Sequence, residues 1–205
     1  MNRMAKKKSR KNRDKRKRQQ QQQSRSGNRN TIVMGAILVI VLGYWGISQM
    51  GGPDYPAEIA GVFYDNAVIS SETGRVTVPE DVVEMNKLTF VDIKLDNRTE
   101  NFTYIGRDID LTTYRDAEYL PLIIISTPKG KTISGIRVCE PCLSFSFHMV
   151  EGKFLRCDAC GTIWDIETLQ GLTGGCMNYP PPKLTTGIMN GVVIEAGSTG
   201  LDFAI

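Results

Sequence analysis

Residues 136–182 read IRVCEPCLSFSFHMVEGKFLRCDACGTIWDIETLQGLTGGCMNYPPP and contain every cysteine of the chain. Cys139 and Cys142 form one Cys-x-x-Cys pair, and Cys157 and Cys160 form a second, fourteen residues further on. Two such pairs can bring four thiolates around one centre, which is the ligand set of tetrahedral zinc and of iron–sulfur centres. We therefore predict a soft-metal site on these four cysteines.

Short antiparallel strands are expected around the two pairs. Phe147–Val150 and Lys153–Arg156 flank a turn at Glu151-Gly152, which predicts a hairpin that brings Cys157 close to the first pair. Ile163–Ile166 predicts a further strand.

The residue after each pair bears on how its turn closes. Gly161 follows the second pair and accepts the positive φ that a Cys-x-x-Cys turn often needs. Leu143 takes this place after the first pair, so we expect the first turn to close differently.

The rest of residues 62–205 has the pattern of a mainly β, antiparallel domain. β-branched and aromatic residues between turn signals predict strands at Arg75–Pro79, Leu88–Leu95, Phe102–Ile105, Leu120–Ser126, Lys131–Val138 and Gly191–Ala196. In Leu88–Leu95 the alternation places Val91, Ile93 and Leu95 in the core and Asp92 and Lys94 in water. Pro79–Glu84 predicts one short helix.

Two other interpretations of the cysteines stay open. Disulfides form outside the cytoplasm, so four of the five could simply pair. A thiol–disulfide oxidoreductase is the second, because Pro141 precedes Cys142 as in some redox pairs. The segment that follows is a poor helix former, however, and a helix N-terminus is what would lower the thiol pKa there.

Cys176 and His148 are candidates for an additional ligand or for a residue that hydrogen-bonds the ligand sulfurs. Cys176 lies in a Gly-Gly-Cys turn before three prolines, where its thiol could be a ligand, a disulfide partner or an inert buried group. His148 is the only histidine of the chain, so a pair of imidazole ligands is excluded. It could donate to a cluster sulfur or be an ordinary structural histidine.

The N-terminal part predicts a membrane anchor. Residues 1–30 contain thirteen Lys or Arg and one Asp, and they should form a disordered cytoplasmic tail. Residues 31–50 have no charged side chain and would span about 30 Å as a helix. Residues 51–61 predict a Gly/Pro linker, and residues 62–205 the extracytoplasmic β domain.

The charge distribution predicts orientation and partners. The positive tail places the N-terminus in the cytoplasm of a single-pass protein of the cell membrane. We expect this tail to bind anionic lipid headgroups rather than nucleic acid, since it adjoins the span. Nucleophile–base pairs, phosphate loops and paired catalytic carboxylates do not stand out, so an electron carrier or binding protein is favoured over an enzyme.

The stretch Ile136–Pro182 resembles the membrane iron–sulfur FtrD-like family. The shared pattern is a Cys-x-x-Cys, a hairpin, a Cys-x-x-Cys-Gly with an aromatic residue after it, and a Gly-Gly-Cys-Asn-Pro turn, from which this chain departs by Met177 after Cys176. The same stretch is more distantly similar to Rieske domains, with a Cys pair where imidazoles would be. A Rieske-like subdomain with rubredoxin-type knuckles is therefore expected.

The resemblance implies an iron–sulfur cluster and electron transfer linked to a membrane redox or metal-permease partner in iron uptake. The alternative from the residues alone is a zinc-stabilised structural or interaction domain without redox activity.

Overall fold

A computed structural model of the chain describes residues 56–70 and 72–204. The predicted tail (1–30) and membrane span (31–50) lie outside this part. Within it, no helix has the length and apolar character needed to span a membrane.

The described residues form short strands with little helix. In chain order the first strands are β1 (Glu58–Ala60), β2 (Val62–Phe63), β3 (Val68–Ser70), β4 (Arg75–Val78), β5 (Leu88–Lys94), β6 (Asn101–Tyr104), β7 (Arg107–Asp110) and β8 (Tyr119–Ser126). They are followed by β9 (Thr132–Ile136), β10 (Phe147–Val150), β11 (Phe154–Cys157), β12 (Ile163–Asp165), β13 (Gly171–Thr173), β14 (Lys183–Leu184), β15 (Thr186–Ile188) and β16 (Val192–Glu195). The helical elements of this part are α1 (Glu80–Asn86) and 3-10 turns at Arg115–Ala117, Glu140–Cys142 and Ala196–Thr199.

The strands form three larger sheets and one hairpin. The central sheet has the order β14-β9-β8-β5-β2, the cysteine sheet β1-β10-β11-β12-β13, and the third sheet β15-β16-β4-β3, while β6 pairs with β7. All pairs are antiparallel except β2 with β5. The mainly β, antiparallel fold class predicted from the sequence is confirmed.

The central sheet is buried on both faces. From β5, Val91 and Ile93 lie in a core shared with Val76 and Val192 of the third sheet. The alternate position Phe90 lies in a second core with side chains of the cysteine sheet, including Phe147, Met149, Leu155 and Trp164. The three sheets are therefore layered with the central sheet in the middle, and the metal site belongs to the second core.

One polar residue of β5 departs from the predicted alternation. Val91, Ile93 and Leu95 are buried and Lys94 is exposed, as predicted. The prediction that Asp92 faces water is wrong, because its side chain is only 3% exposed. The carboxylate is paired instead with the guanidinium of Arg137, at 2.6 Å, and accepts a hydrogen bond from the Tyr114 hydroxyl.

The hairpin that carries the second cysteine pair is confirmed. β10 and β11 pair in the register Phe147↔Cys157, and Glu151 and Gly152 both have positive φ in the turn between them. Positive φ at both central residues matches the right-handed twist of the strands. The hairpin thereby places Cys157 at the end of the cysteine sheet.

The folded region begins earlier than the sequence suggested. Residues 58–60, predicted as part of the linker, form β1 and pair with β10 over Glu58↔Val150 to Ala60↔His148. Apolar Ile59 packs against the second core. This strand is too short to show an alternating pattern, so only the tertiary pairing identifies it.

Candidate metal centre

The five cysteines lie on three loops at one end of the cysteine sheet. Cys139 and Cys142 bracket the 3-10 turn that follows β9, and Cys157 ends β11 with Cys160 in the turn that follows. Cys176 lies in the loop between β13 and β14. Cys139 and Cys157 are fully buried, Cys176 is buried, Cys142 is half-buried, and Cys160 is open to solvent.

The first cysteine turn closes around a left-handed residue. The N–H of Cys142 donates to the carbonyl of Cys139 at 3.3 Å, and Leu143 has φ 49° and ψ 38°. Cys139 and Ser144 then pair as an antiparallel bridge. The expectation that this turn closes differently from the second one is wrong, because Leu143 adopts the conformation that glycine usually supplies.

The second cysteine turn uses glycine at the matching position. Gly161 has φ +68° and donates its N–H to the Cys157 carbonyl at 2.9 Å. The N–H of Cys157 donates to the carbonyl of Thr162 at 3.0 Å, which closes the turn. The two turns are therefore built alike and face each other across the site.

The sulfur atoms of the two turns interleave. Cys139 Sγ lies 3.9 Å from Cys160 Sγ, and Cys142 Sγ lies 3.7 Å from Cys157 Sγ. Each short contact thus joins one turn to the other. The sulfurs of Cys139, Cys142, Cys160 and Cys176 also lie within 4.8 Å of one another, as in a group able to hold a metal ion.

The predicted site residues are brought together, and Cys176 joins them. The four cysteines proposed from sequence and the fifth one, left as a ligand or a bystander, share one cluster of sulfurs. The position of Cys176 near the two pairs could not be predicted from local sequence, because it depends on how the loop after β13 folds back.

Polar hydrogens are directed at the Cys157 sulfur. Hydrogen bonding from Cys139 lowers the pKa of the Cys157 thiol to about 4, against the opposing effect of burial. The Ser144 hydroxyl and the backbone N–H groups of Ala159 and Cys160 also lower this pKa. The lowered pKa favours the thiolate form of Cys157, which is the form that binds metal.

The pKa values of Cys139 and Cys142 are raised by burial and by the neighbouring sulfurs. The hydrogen bond to Cys157, together with burial, raises the pKa of Cys139, and burial raises that of Cys142 to about 12. Neighbouring thiolates disfavour one another in a buried site, so the group cannot ionise fully without a cation. A bound metal ion would supply the missing positive charge.

Thr162 connects the second turn to the Cys176 loop. Its side chain is fully buried, and its hydroxyl oxygen accepts the N–H of Cys176 at 3.1 Å and lies 3.3 Å from Cys160 Sγ. Burial would raise the pKa of Cys160, but hydrogen bonds from the hydroxyl and backbone N–H of Thr162 leave it below its usual value. Sequence reasoning missed this residue.

Close backbone packing holds the Cys176 loop in place. A Cβ on Gly174, which has φ +108°, would lie 2.4 Å from the Thr162 hydroxyl oxygen. Trp164, fully buried in β12, donates its indole N–H to the Met177 carbonyl at 3.1 Å. Gly174 allows the close approach to Thr162, and Trp164 fixes the backbone next to Cys176.

An ion pair connects the first turn to the same loop. Arg107 Nε lies 2.7 Å from Glu140 Oε1, without hydrogen-bond alignment. The same guanidinium lies 6.0 Å from the ring centre of Tyr179. Arg107 therefore joins the residue between Cys139 and Pro141 to the loop that carries Cys176.

His148 supports the second turn through a carboxylate. Its ring Nδ1 is in hydrogen-bond contact with Asp158 Oδ1, and the N–H of Asp158 donates to the Ser146 carbonyl at 3.0 Å. This Nδ1 is thus directed at a side chain of the Cys-x-x-Cys loop rather than at a sulfur. Its role as a donor to a cluster sulfur stays a prediction.

Residues 106–198 match the family model described as "Membrane iron-sulfur containing protein FtrD-like". This segment is similar to the FtrD-like family. The match contains all five cysteines, and the family resemblance seen in the sequence is confirmed. The similarity to Rieske domains stays a prediction, and a comparison with curated proteins finds no match.

The side chains of the FtrD-like segment fit an iron–sulfur centre by their chemistry. The family is described as iron–sulfur containing, and four clustered cysteines offer the thiolate ligands that such centres use. The predicted iron–sulfur cofactor agrees with both findings. Thiolates also bind zinc, so the donor set defines a soft-metal site of either kind.

Proposed function

We propose that this protein is a membrane-anchored, extracytoplasmic iron–sulfur protein that transfers electrons, with its centre on Cys139, Cys142, Cys157 and Cys160. The observation that carries the proposal is the cluster of cysteine sulfurs inside the FtrD-like segment. An iron centre held by sulfur supplies reversible electron transfer when it is bound.

The unequal burial of the cysteines suits such a role. Cys139 and Cys157 have no exposed surface, whereas Cys160 reaches solvent. Electrons would enter and leave at the Cys160 side, while Phe147 and Trp164 exclude water from the opposite side. The protein's contribution is to position and tune the centre.

The proposed partner lies in the membrane. We infer that residues 31–50 anchor the chain with the basic tail in the cytoplasm, and that the partner is a membrane redox or metal-permease system. The family's description as a membrane protein and the charge asymmetry of the chain support this inference. The proposed task is electron transfer that accompanies iron uptake.

A thiol–disulfide oxidoreductase with Cys139 as the attacking thiol is not favoured by the site. In the described part of the chain, Cys142 is followed by Leu143 in the left-handed region and then by an extended segment, not by an α-helix. The pKa of Cys139 is raised, whereas an attacking thiol needs a lowered one.

A redox titration of the full chain tests the proposal. The protein is purified anaerobically in detergent, and its visible absorption is followed through reduction and reoxidation. We expect a sulfur-to-iron absorption band that bleaches and returns reversibly. A colourless protein, or a band that does not respond to reductant, would contradict electron transfer.

Two variants test whether this absorption band comes from the cysteine site. Cys139→Ser should abolish the band, whereas Ile105→Ser, at a side chain 64% exposed in the β6–β7 turn, should leave it unchanged. A band that persists in Cys139→Ser would place the chromophore elsewhere.

A further inference from the structure

Acidic side chains supply the charges of the three loops that carry the cysteines. These loops comprise residues 139–144, 157–162 and 173–179. Their charged side chains are those of Glu140 and Asp158. Asp158 is partly open to water and contacts His148, whereas the Glu140 side chain is only 12% exposed. Glu140 therefore places a mostly buried carboxylate directly after Cys139 in the chain.

A carboxylate at the Glu140 position opposes the addition of an electron to the centre. Like charges in a poorly hydrated site disfavour one another, and net charge is one of the properties that set the reduction potential of an iron–sulfur centre. Burial strengthens this effect, because mobile ions and water screen a buried charge less than an exposed one. Without a counter-charge, Glu140 would lower the reduction potential.

Arg107 brings a positive charge to this carboxylate from outside the cysteine loops. It is the first residue of β7, and its Nε lies 2.7 Å from Glu140 Oε1. The Arg107 side chain is 21% exposed. Among the ion pairs of the described residues, this pair and Arg137–Asp92 are the ones in which neither side chain exceeds 21% exposure. The Arg107–Glu140 pair is therefore less screened than a surface pair.

The geometry of the pair favours a role of charge over one of hydrogen bonding. Within the described residues, neither Arg107 Nε nor Glu140 Oε1 has a hydrogen-bond partner, although the two atoms are in contact. On its other side the guanidinium lies 6.0 Å from the ring centre of Tyr179, whose N–H donates to the Cys176 carbonyl at 2.9 Å. The positive charge thus lies between the first cysteine turn and the Cys176 loop.

We propose that Arg107 is a positioning residue for electron transfer. Its guanidinium holds Glu140 in place and compensates the charge of that carboxylate, which keeps the reduction potential of the centre from falling. This inference rests on the proposed function, since it concerns the energy of the electron that the centre accepts.

Charge variants of the full chain test this proposal by potentiometric titration of the visible band in detergent. Arg107→Gln leaves Glu140 without its counter-charge, so the midpoint potential should fall. At the wild-type midpoint, the ratio of reduced to oxidised centres should drop about tenfold, which equals about 59 mV for one electron. Glu140→Gln should raise the potential, and the double variant should lie near the wild type because both charges are absent. Arg107→Lys should keep most of the wild-type potential.

Arg98→Gln is the matched control, because it removes the same charge from an exposed pair with Glu100 and should leave the midpoint unchanged. Iron content and urea titration of the metal-free chain report whether each variant binds iron and folds. An unchanged midpoint in folded, iron-loaded Arg107→Gln would overturn the proposal. Loss of iron from this variant, or a fall in potential in both single variants, would also overturn it, because each indicates a purely structural role. A wild-type chain without a reversible band would instead contradict the proposed function.

Discussion

Two residues with the same backbone conformation, Leu143 and Gly161, close the two cysteine turns. Leu143 has φ 49° and Gly161 has φ +68°. A side chain in this region costs about 1 kcal/mol, which glycine avoids. The first turn tolerates the strain because its neighbours hold it on both sides, through the bridge from Cys139 to Ser144.

Replacement of Gly161 measures this strain. A Cβ there meets only the distant end of Arg156, at 3.8 Å, so Gly161→Ala should lower the free energy of unfolding by about 1 kcal/mol. Gly175→Ala is the matched control, since its Cβ would meet nothing within 4 Å and its φ is not positive. Urea titrations of the metal-free chain provide the comparison. Equal stability of the two variants would contradict a strained turn.

The Thr162 hydroxyl is the point where the second turn and the Cys176 loop meet. Thr162→Val keeps the shape but removes the hydrogen bonds to Cys160 and Cys176, so metal affinity should fall roughly tenfold. Thr162→Ser should restore most of it. Competition with a chelator gives the affinities, and Thr185→Val, at an exposed position, is the control.

Among the elements, β9 and β10 are connected by a buried arginine. Arg137 is 2% exposed and donates one N–H to the Phe145 carbonyl at 2.5 Å, which spans the loop that contains Cys139 and Cys142. Arg137 Nη2 donates a hydrogen bond to Asp92 Oδ1 of β5, and the guanidinium lies 4.4 Å from the centre of the Phe90 ring. The first cysteine turn is thereby fixed to the central sheet.

Replacement of Arg137 should strongly destabilise the fold, because the Asp92 carboxylate stays buried without its closest counter-charge. Arg137→Met should lower the free energy of unfolding by about 3 kcal/mol, since the buried Asp92 carboxylate would keep only the half-exposed Arg115 guanidinium, at 3.2 Å, as a counter-charge. Arg75→Met, which breaks the exposed pair with Glu195, should cost less than about 1 kcal/mol. Chemical denaturation of both variants measures the difference. Similar losses would show that the Asp92 pair is not specially buried.

At the scale of the whole molecule, local patterns predicted the elements better than their packing. Apolar alternation in β5 and the turn at Glu151-Gly152 are encoded in neighbouring residues, and the strands and hairpin were predicted from them. Strands of two or three residues such as β1 and β14 carry no such pattern. The burial of Asp92 depends on a partner forty-five positions away in the sequence.

The same contrast between local sequence patterns and tertiary packing holds for the cysteine site. Cysteine spacing predicted that the sulfurs of two Cys-x-x-Cys pairs meet at one site, and the structure brings them together. Nothing local predicted that Thr162 would bond Cys176, or that Leu143 would adopt a glycine-like conformation. The first contact forms when the loop after β13 packs back against the second cysteine turn, and the second feature accompanies the bridge between Cys139 and Ser144.

The predicted membrane anchor is testable on the full chain. With residues 31–50 as a span, the protein should stay in the membrane pellet after alkaline carbonate extraction. Leu38→Lys combined with Ile40→Lys should release it, since each charge at the centre of a span costs about 3 kcal/mol. Gln21→Lys in the basic tail is the control and should remain in the pellet. Retention of the double variant would contradict anchoring by this segment.

The iron K-edge X-ray absorption of the anaerobically purified full chain tests the central claim most directly, because it counts the atoms bound to iron. A site built from Cys139, Cys142, Cys157 and Cys160 predicts a shell of sulfur neighbours at about 2.3 Å. A shell of nitrogen or oxygen neighbours would contradict a cysteine-bound centre.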